Sequence, residues 1–414
     1  MKLARAMTPP LAAAEHPLVR TPEEWSEVLG GWGEPRYRGP QVFRWLHQRG
    51  VTDPAAMSDL PKALRERLAG EGPLAPPLTV SSAHLSEDGT RKLLLAMGDG
   101  RAVESVLIPM RSARAEGVFR ADEGESEGEG EGESSSWVTQ CISSQVGCAM
   151  GCVFCASGIA GLKRNMTAAE IVSQVILGRS AVDPGERVRN VVFMGMGEPM
   201  LNYDAVIRAG MLMTDGAGIA ARRITVSTAG WADGIRRLAD ERTRMKLAVS
   251  LHSAVPATRE ALMPVTRRFP LDALREALQY YYARTKVRVT YEYIFFDGIN
   301  DTPQEVRRLI AFARAIPCKL NVIPYHEIGF AGPEGLGASL RPSPRMHEIV
   351  EELRRANLTV IVRSSAGEDI AAACGQLAVQ GLRRSRSGRS TRGAPDAEHG
   401  PRSIVTQHRN DRRP

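Results

Sequence analysis

The 414-residue sequence has no run of apolar residues approaching the ~18 that a membrane-spanning helix needs, although 43% of its residues are hydrophobic. It also lacks a secretory core: Pro9, Pro10 and Glu15 interrupt the Ala-rich stretch behind Lys2 and Arg5. A soluble, cytoplasmic chain without membrane contact is expected. Cysteine is sparse, with six residues in all: Cys141, Cys148, Cys152, Cys155, Cys318 and Cys374. Three of them fall within eight residues and no export signal accompanies them. That combination argues against a disulfide framework and for metal-binding or catalytic thiols.

Two segments have almost nothing apolar to bury. Residues 111–136 are a Gly/Glu/Ser insertion, and residues 381–414 are an Arg/Ser/Gly tail. Both compositions predict disorder. The insertion holds seven acids between residues 122 and 133, and the tail carries a net charge of +6. With residues 122–133 and the tail set aside, the formal net charge of +7 becomes +8 on the remainder. A basic body suits an anionic partner such as RNA, although many cytoplasmic enzymes are mildly basic.

Residues 1–20 are expected to be disordered. Residues 21–75 form a small helical domain, with Trp45, Leu46, Leu60, Leu64 and Leu68 as apolar points. Its many arginines and lysines mark either an RNA-contacting module or a solvated helical face. Residues 76–110 form a β extension, with strands near Lys92–Met97 and Val103–Ile108 and turns at Asp88-Gly89 and Asp99-Gly100. From 137 to 380 strands and helices alternate. Strands are expected at Val138–Ser143, Asn190–Met194, Arg223–Ser227, Lys246–Ser250, Val287–Phe295, Lys319–Ile323 and Thr359–Arg363. Thr167-Ala-Ala-Glu170 has the form of a capping box, and Thr302-Pro303 that of a cap followed by a first-turn proline. Such alternation implies an α/β fold on a parallel sheet, doubly wound or curved as a barrel, with its chemistry at the carboxyl ends of the strands.

Cys148-Ala-Met-Gly-Cys152-Val-Phe-Cys155 is the strongest motif. Three thiolates on one loop can hold three irons of a [4Fe-4S] cluster and leave the fourth iron open. An open iron can chelate S-adenosyl-L-methionine, and reductive cleavage of the sulfonium then releases a 5′-deoxyadenosyl radical. The alternative is a zinc site, which needs a fourth ligand; no nearby His or Cys follows at the usual spacing. Gly195-Met-Gly197-Glu198-Pro199 follows the next strand. Its glycines suit close approach of a ligand, and Glu198 suits an ammonium group. Ser227-Thr-Ala-Gly230 and Ser250-Leu251-His252-Ser253 place small polar groups after two further strands.

These residues resemble the radical-SAM adenine methyltransferase family of the RlmN/Cfr type. The similarity runs from about Pro35 to Leu377 and includes Gln140-Cys141 through Cys155, Ile224–Gly230 and Asp369–Leu377. The resemblance implies a partial (β/α)6-type radical-SAM barrel, a [4Fe-4S] cluster on Cys148, Cys152 and Cys155, and two molecules of S-adenosyl-L-methionine per turnover. It assigns Cys374 as the methyl-carrying cysteine, Cys141 as the resolving cysteine and Glu104 as proton acceptor. Gly197, Glu198, Ser227, Ser250, Leu251, His252 and His326 become the cofactor-binding set.

The implied chemistry suits a ring carbon, C2 of adenine, that is too electron-poor to attack a sulfonium itself. A Cys374 thiolate takes the methyl group. A radical formed on that methyl adds to the ring, and Cys141 releases the product as a disulfide forms. The implied substrate is 23S ribosomal RNA, with transfer RNA an additional candidate. A flavodoxin-like or other electron donor and a monomeric chain complete the expectation. The alternatives are C8 methylation within the same family and a non-catalytic, zinc-stabilised RNA-binding protein. Cys318 reads as structural, and Glu104 in its alternating strand reads equally as solvent-facing. Two departures stand out: His326 replaces the family's usual Asn, and the acidic insertion precedes Cys141.

Overall fold

The computed structural model describes residues 16–110, 136–328 and 336–377. Most of the acidic insertion and all of the basic tail lie outside them. The first described residues correct the expected boundary of the disordered start. Pro17–Val19 forms a 3-10 turn, with Leu18 and Val19 buried. Two adjacent apolar side chains in a short polar setting gain more from packing than from solvent.

Three helices follow: α1 (Pro22–Gly30), α2 (Arg38–His47) and α3 (Lys62–Gly70). A capping box at Thr21 and Glu24 starts α1. Trp25 and Leu29 of α1, Val42, Phe43 and Leu46 of α2, and Leu64 and Leu68 of α3 are all buried. At the α1–α2 contact a side chain on Gly39 would collide with Ser26, so the glycine permits the approach.

One ten-stranded sheet organises the rest. Its strands are β1 (Leu78–Leu85), β2 (Arg91–Met97), β3 (Ala102–Met110), β4 (Trp137–Cys141), β5 (Arg187–Phe193), β6 (Ile224–Thr228), β7 (Lys246–Ser250), β8 (Val289–Tyr293), β9 (Cys318–Val322) and β10 (Val360–Val362). Spatial order equals chain order. The pairings from β1 to β4 are antiparallel, and those from β4 to β10 are all parallel. Helices fill the parallel crossovers: α4 (Ala156–Ala160), α5 (Ala168–Arg179), α6 (Tyr203–Asp215), α7 (Ala232–Glu241), α8 (Pro256–Leu262), α9 (Leu271–Thr285), α10 (Pro303–Ala313), α11 (Leu336–Ser339) and α12 (Met346–Arg355). The Thr167–Glu170 capping box opens α5, and Thr302 caps α10. In α10 the buried Val306, Leu309 and Phe312 recur at helical spacing. None of the described helices is long and apolar enough to cross a membrane.

The two ends of the sheet are joined by side chains rather than by a ladder. The segment after β10 reaches back to the β1–β2 hairpin. Gly367 donates its N–H to Asp88 (2.9 Å), Ser86 hydrogen-bonds Asp369, and Lys92 donates to the carbonyl of Ala371 (3.1 Å). The result is a partial (β/α) barrel, closed on one side by the segment that carries Cys374.

Candidate active site

The carboxyl ends of the parallel strands enclose a cavity of ≈ 790 Å³, including the part open to solvent. Its lining brings together Cys148, Cys152 and Cys155 from the loop after β4, Gly197 and Glu198 after β5, Ser227 of β6, Ser250 and His252 around the end of β7, and Cys374 from the far end of the chain. Of the expected site residues, Leu251, His326, Glu104 and Cys141 are not part of this lining.

The loop after β4 is held by hydrogen bonds. Ser143 donates to the carbonyl of Glu104 (2.7 Å) and accepts the Met196 N–H (3.0 Å); Gln174 brackets its backbone from α5. Gln145 accepts the Glu198 N–H (2.8 Å). A Cβ on Gly197, at φ +106, would fall 2.6 Å from the Gln145 side chain, and one on Gly195 would meet the Ile142 carbonyl at 2.8 Å. The two glycines therefore serve the packing of one loop on another, where the motif alone suggests approach of a ligand.

Cys148 and Cys152 are buried and Cys155 is half-buried. Burial pushes all three thiols up, and each is pushed further by another cysteine: Cys148 and Cys152 by their neighbours in the trio, Cys155 by Cys374. Such thiols ionise when a metal takes the charge. Three thiols from one loop that share one cavity suit a cubane, in which each sulfur binds a separate iron and the fourth iron stays open to a ligand. The donor set thus fits a [4Fe-4S] cluster.

Glu198 is buried, and burial pushes its carboxyl up to about 7, against the N–H groups of Ala229 (2.7 Å) and Met200 (3.0 Å) that favour the charged form. An ammonium group placed here would restore the carboxylate. His252 stands at φ +52, a strained conformation for a side-chain-bearing residue. Burial, with Arg259 second, pulls its imidazole down to about 3. It is therefore neutral, and because Nδ1 accepts the Ile294 N–H (3.1 Å), Nε2 carries the proton. Leu251 is buried, with its backbone spent on Glu292 and Arg259. His326 pairs with Glu368 (3.1 Å).

Cys374 is half-buried and its thiol is pushed up by burial, with the Arg363 guanidinium acting in the opposite direction. Its loop is pinned to the cysteine motif: Ala156 donates to the Gly375 carbonyl (2.8 Å) and Ser157 to that of Leu377 (2.6 Å). Cys141 ends β4 and is buried. Its thiol is pushed up to about 12 by burial first and by Cys374 second, while the N–H of Met194 works against the rise. All six cysteines are unbridged. Cys318 is buried, its thiol donating to the Ala313 carbonyl (3.2 Å). Glu104 corrects the solvent-facing reading of its strand. It is 3% exposed and its carboxylate lies 3.4 Å from the Lys92 ammonium. The same ammonium holds Ala371, three residues before Cys374.

Three residues of this site escape sequence reasoning. Arg259 of α8 is fully buried and donates to the carbonyls of Ala229 (2.7 Å), Ser250 (3.1 Å) and Leu251 (3.0 Å), tying the ends of β6 and β7 together. Glu292 of β8 lines the cavity, with one oxygen on Asn321 (3.0 Å) and the other 3.8 Å from Arg363. An acid flanked by tyrosines in an apolar strand was the available signal for Glu292; Arg259 and Arg363 had none.

Residues 142–313 match the Radical SAM superfamily, and residues 21–71 match the ribosomal RNA large subunit methyltransferase N-terminal domain. A dual-specificity RNA methyltransferase RlmN from Sorangium cellulosum is 48% identical over 383 residues, covering 89% of this chain and 96% of that protein. A protein of the same description from Geobacter sulfurreducens is 41% identical over 357 residues, covering 86% and 89%. The crystal structure of a radical SAM methyltransferase from Sphaerobacter thermophilus superposes with a TM-score of 0.76 at 38% identity, covering 88% of this chain and 99% of that one.

Proposed function

This chain belongs to the RlmN-type RNA methyltransferases of the radical SAM superfamily, and on that premise we propose that Cys374 carries a methyl group to C2 of an adenine in 23S ribosomal RNA and in transfer RNA. The observation that supports this most is the convergence of Cys374 with the Cys148–Cys155 loop in one cavity, pinned there by Ala156 and Ser157.

When bound, a [4Fe-4S] cluster on Cys148, Cys152 and Cys155 and S-adenosyl-L-methionine supply the electron, the methyl group and the 5′-deoxyadenosyl radical. The protein's own residues do the rest. Glu198 receives an amino group. Ser227, Ser250 and His252 offer hydrogen-bonding groups along the strand ends. Leu251 and His326 keep their proposed places in this set: Leu251 by fixing the turn after β7 through its bonds to Glu292 and Arg259, His326 by turning from Glu368.

Cys374 acts as a thiolate that forms a sulfur–methyl bond as the sulfonium bond breaks. After loss of one hydrogen the methylene joins adenine C2, which links the RNA covalently to Cys374. Glu104, tied through Lys92 to the Cys374 segment, takes the C2 proton. Cys141 then attacks the Cys374 sulfur. A disulfide forms as the sulfur–carbon bond breaks; the released carbon takes up a proton to complete the methyl group, the unpaired electron left by the radical addition would return to the oxidised cluster, and a later two-electron reduction by the electron donor resets both thiols. The base must be unpaired or flipped to enter the cavity. A monomeric cytoplasmic enzyme drawing electrons from a flavodoxin-like or other donor completes the proposal. The unbridged cysteines and an RNA substrate favour that setting.

The roles of the two cysteines separate by substitution. Cys141→Ala should accumulate a covalent protein–RNA adduct, visible as a band shift that nuclease treatment removes. Cys374→Ala should keep its cluster and cleave S-adenosyl-L-methionine without methylating RNA. Normal turnover by Cys141→Ala, or methylation by Cys374→Ala, would refute the respective role.

A further inference from the structure

The strands that end at the cavity begin at an edge with quite different chemistry. Three consecutive helix-to-strand connections there are residues 216–223 before β6, 242–245 before β7 and 286–288 before β8. They carry Arg222, Arg223, Arg242, Arg244, Lys286 and Arg288, and no acid. The acids that end α7 are already engaged. Asp240 holds Arg284 (2.9 Å) and the Tyr280 hydroxyl (2.7 Å), and Glu241 holds Arg237 (2.8 Å) and the Tyr203 hydroxyl (2.8 Å).

Between the ends of α7 and α9 this edge opens into a cavity of ≈ 590 Å³, including the part open to solvent, lined by Arg242, Arg244 and Arg284 with the hydroxyl-bearing Thr243; Arg284 also holds Asp240, and the Thr285 hydroxyl beside it is spent on the Tyr281 carbonyl (2.8 Å). Arg242, Arg244 and Lys286 stand at φ +50, +62 and +59. Glycine or asparagine would meet that conformation with less strain. A cation gains from the dipole at a helix C-terminus, which accounts for Arg242 and Lys286 at the caps of α7 and α9. The dipole does not account for Arg222 or Arg244, which lie beyond those caps; Arg223 and Arg288 are tied to the sheet, Arg223 to Asn190 (3.5 Å) and Arg288 to the Cys318 carbonyl (3.3 Å) and Thr359 (3.0 Å). Guanidinium groups clustered with hydroxyls are the donor set that phosphate oxygens select.

We propose that this edge is a second RNA-binding surface, which takes the backbone phosphates of segments distant from the target base. The inference rests on RNA being the substrate. Strands β6, β7 and β8 are five residues long, so the two edges stand roughly 17 Å apart before loops are counted. The two edges face opposite ways, so a short stem that delivers its base to the methylation cavity lies on one of them and does not turn round to the other. A large folded RNA, with helices flanking the target, does.

The test uses cluster-loaded protein carrying Arg242→Glu and Arg244→Glu, both exposed positions outside the methylation cavity. Binding is measured over a range of salt concentrations to a long large-subunit RNA fragment and to a short hairpin holding only the target. The long fragment should bind about tenfold more weakly, and its slope of log Kd against log salt should flatten by about 2. Hairpin affinity and RNA-independent cleavage of S-adenosyl-L-methionine should not change, and Arg242→Lys with Arg244→Lys should restore long-fragment binding. Unchanged affinity and slope on the long fragment, or an equal loss on the hairpin, would overturn the proposal. Failure of the wild-type protein to bind either RNA would remove the functional reading itself, and this surface with it.

Discussion

His47 shows how a single side chain can report on packing far from the chemistry. It ends α2, is 1% exposed and stacks on Phe43 with ring centroids 4.4 Å apart. Its carbonyl accepts from Arg179 of α5 (3.0 Å), and a Cβ on Gly216 would strike its side chain. It thus sits where the helical module meets the barrel. Burial, ahead of the Arg179 charge, pulls its imidazole down to about 4 from an ordinary 6.5. Between those values the unfolded chain binds the proton and the native one does not. Stability is therefore full above pH 6.5, declines as pH falls, and loses about 3 kcal/mol by pH 4. Thermal melts of wild type and His47→Gln across that window should show the variant with the flatter pH dependence. Parallel curves would mean that His47 does not titrate with unfolding. At this scale legibility was uneven. The trio proposed to hold the cluster follows from cysteine spacing, because three thiols on one loop constrain their own geometry. Cys374 and Cys141 carry no such local constraint, since the fold brings them to the same site, and only the family resemblance marked them. Arg259 stayed hidden because its helix sequence does not say which carbonyls lie beneath it.

Among the elements, the segment after β10 has the most specific demand placed on it. It has no regular structure, yet it must hold Cys374 at the cavity. Four contacts from the β1–β2 hairpin and two from the start of α4 do this. Asp88 contributes through Gly367, whose φ of +68 brings the backbone close to Thr90. Asp88→Ala removes that acceptor, a loss of about 1 kcal/mol locally. Amide exchange across 366–376 should rise roughly fivefold, and methyl uptake by Cys374 should slow while RNA-independent cleavage of S-adenosyl-L-methionine holds. Unchanged exchange would show that the latch is redundant. The sequence located the parallel strands because buried strands read as apolar runs. It misjudged their ends: β5 starts at Arg187 rather than Asn190, and β8 spans five residues where nine were expected. Ladder pairing with neighbours sets those limits, and one strand's residues do not encode it. The latch itself was invisible, because its partners lie 279 and more residues apart.

For the molecule as a whole, strand–helix alternation left a doubly wound sheet and a curved barrel equally open. The ten strands in chain order, with the sheet ends joined through Asp88 and Lys92, decide for the partial barrel. That closure also explains why a cysteine near the end of the described chain belongs to the same site as three near its middle. The central claim is that the methyl group travels on Cys374 and loses one hydrogen before reaching the ring. Anaerobic turnover of ribosomal RNA with S-adenosyl-L-methionine bearing a fully deuterated methyl group tests it most directly, read by mass spectrometry of the digested nucleosides. The expected product is 2-methyladenosine retaining two of the three methyl deuterium atoms; a product that keeps all three, or one methylated only at C8, would rule out transfer through Cys374 to C2.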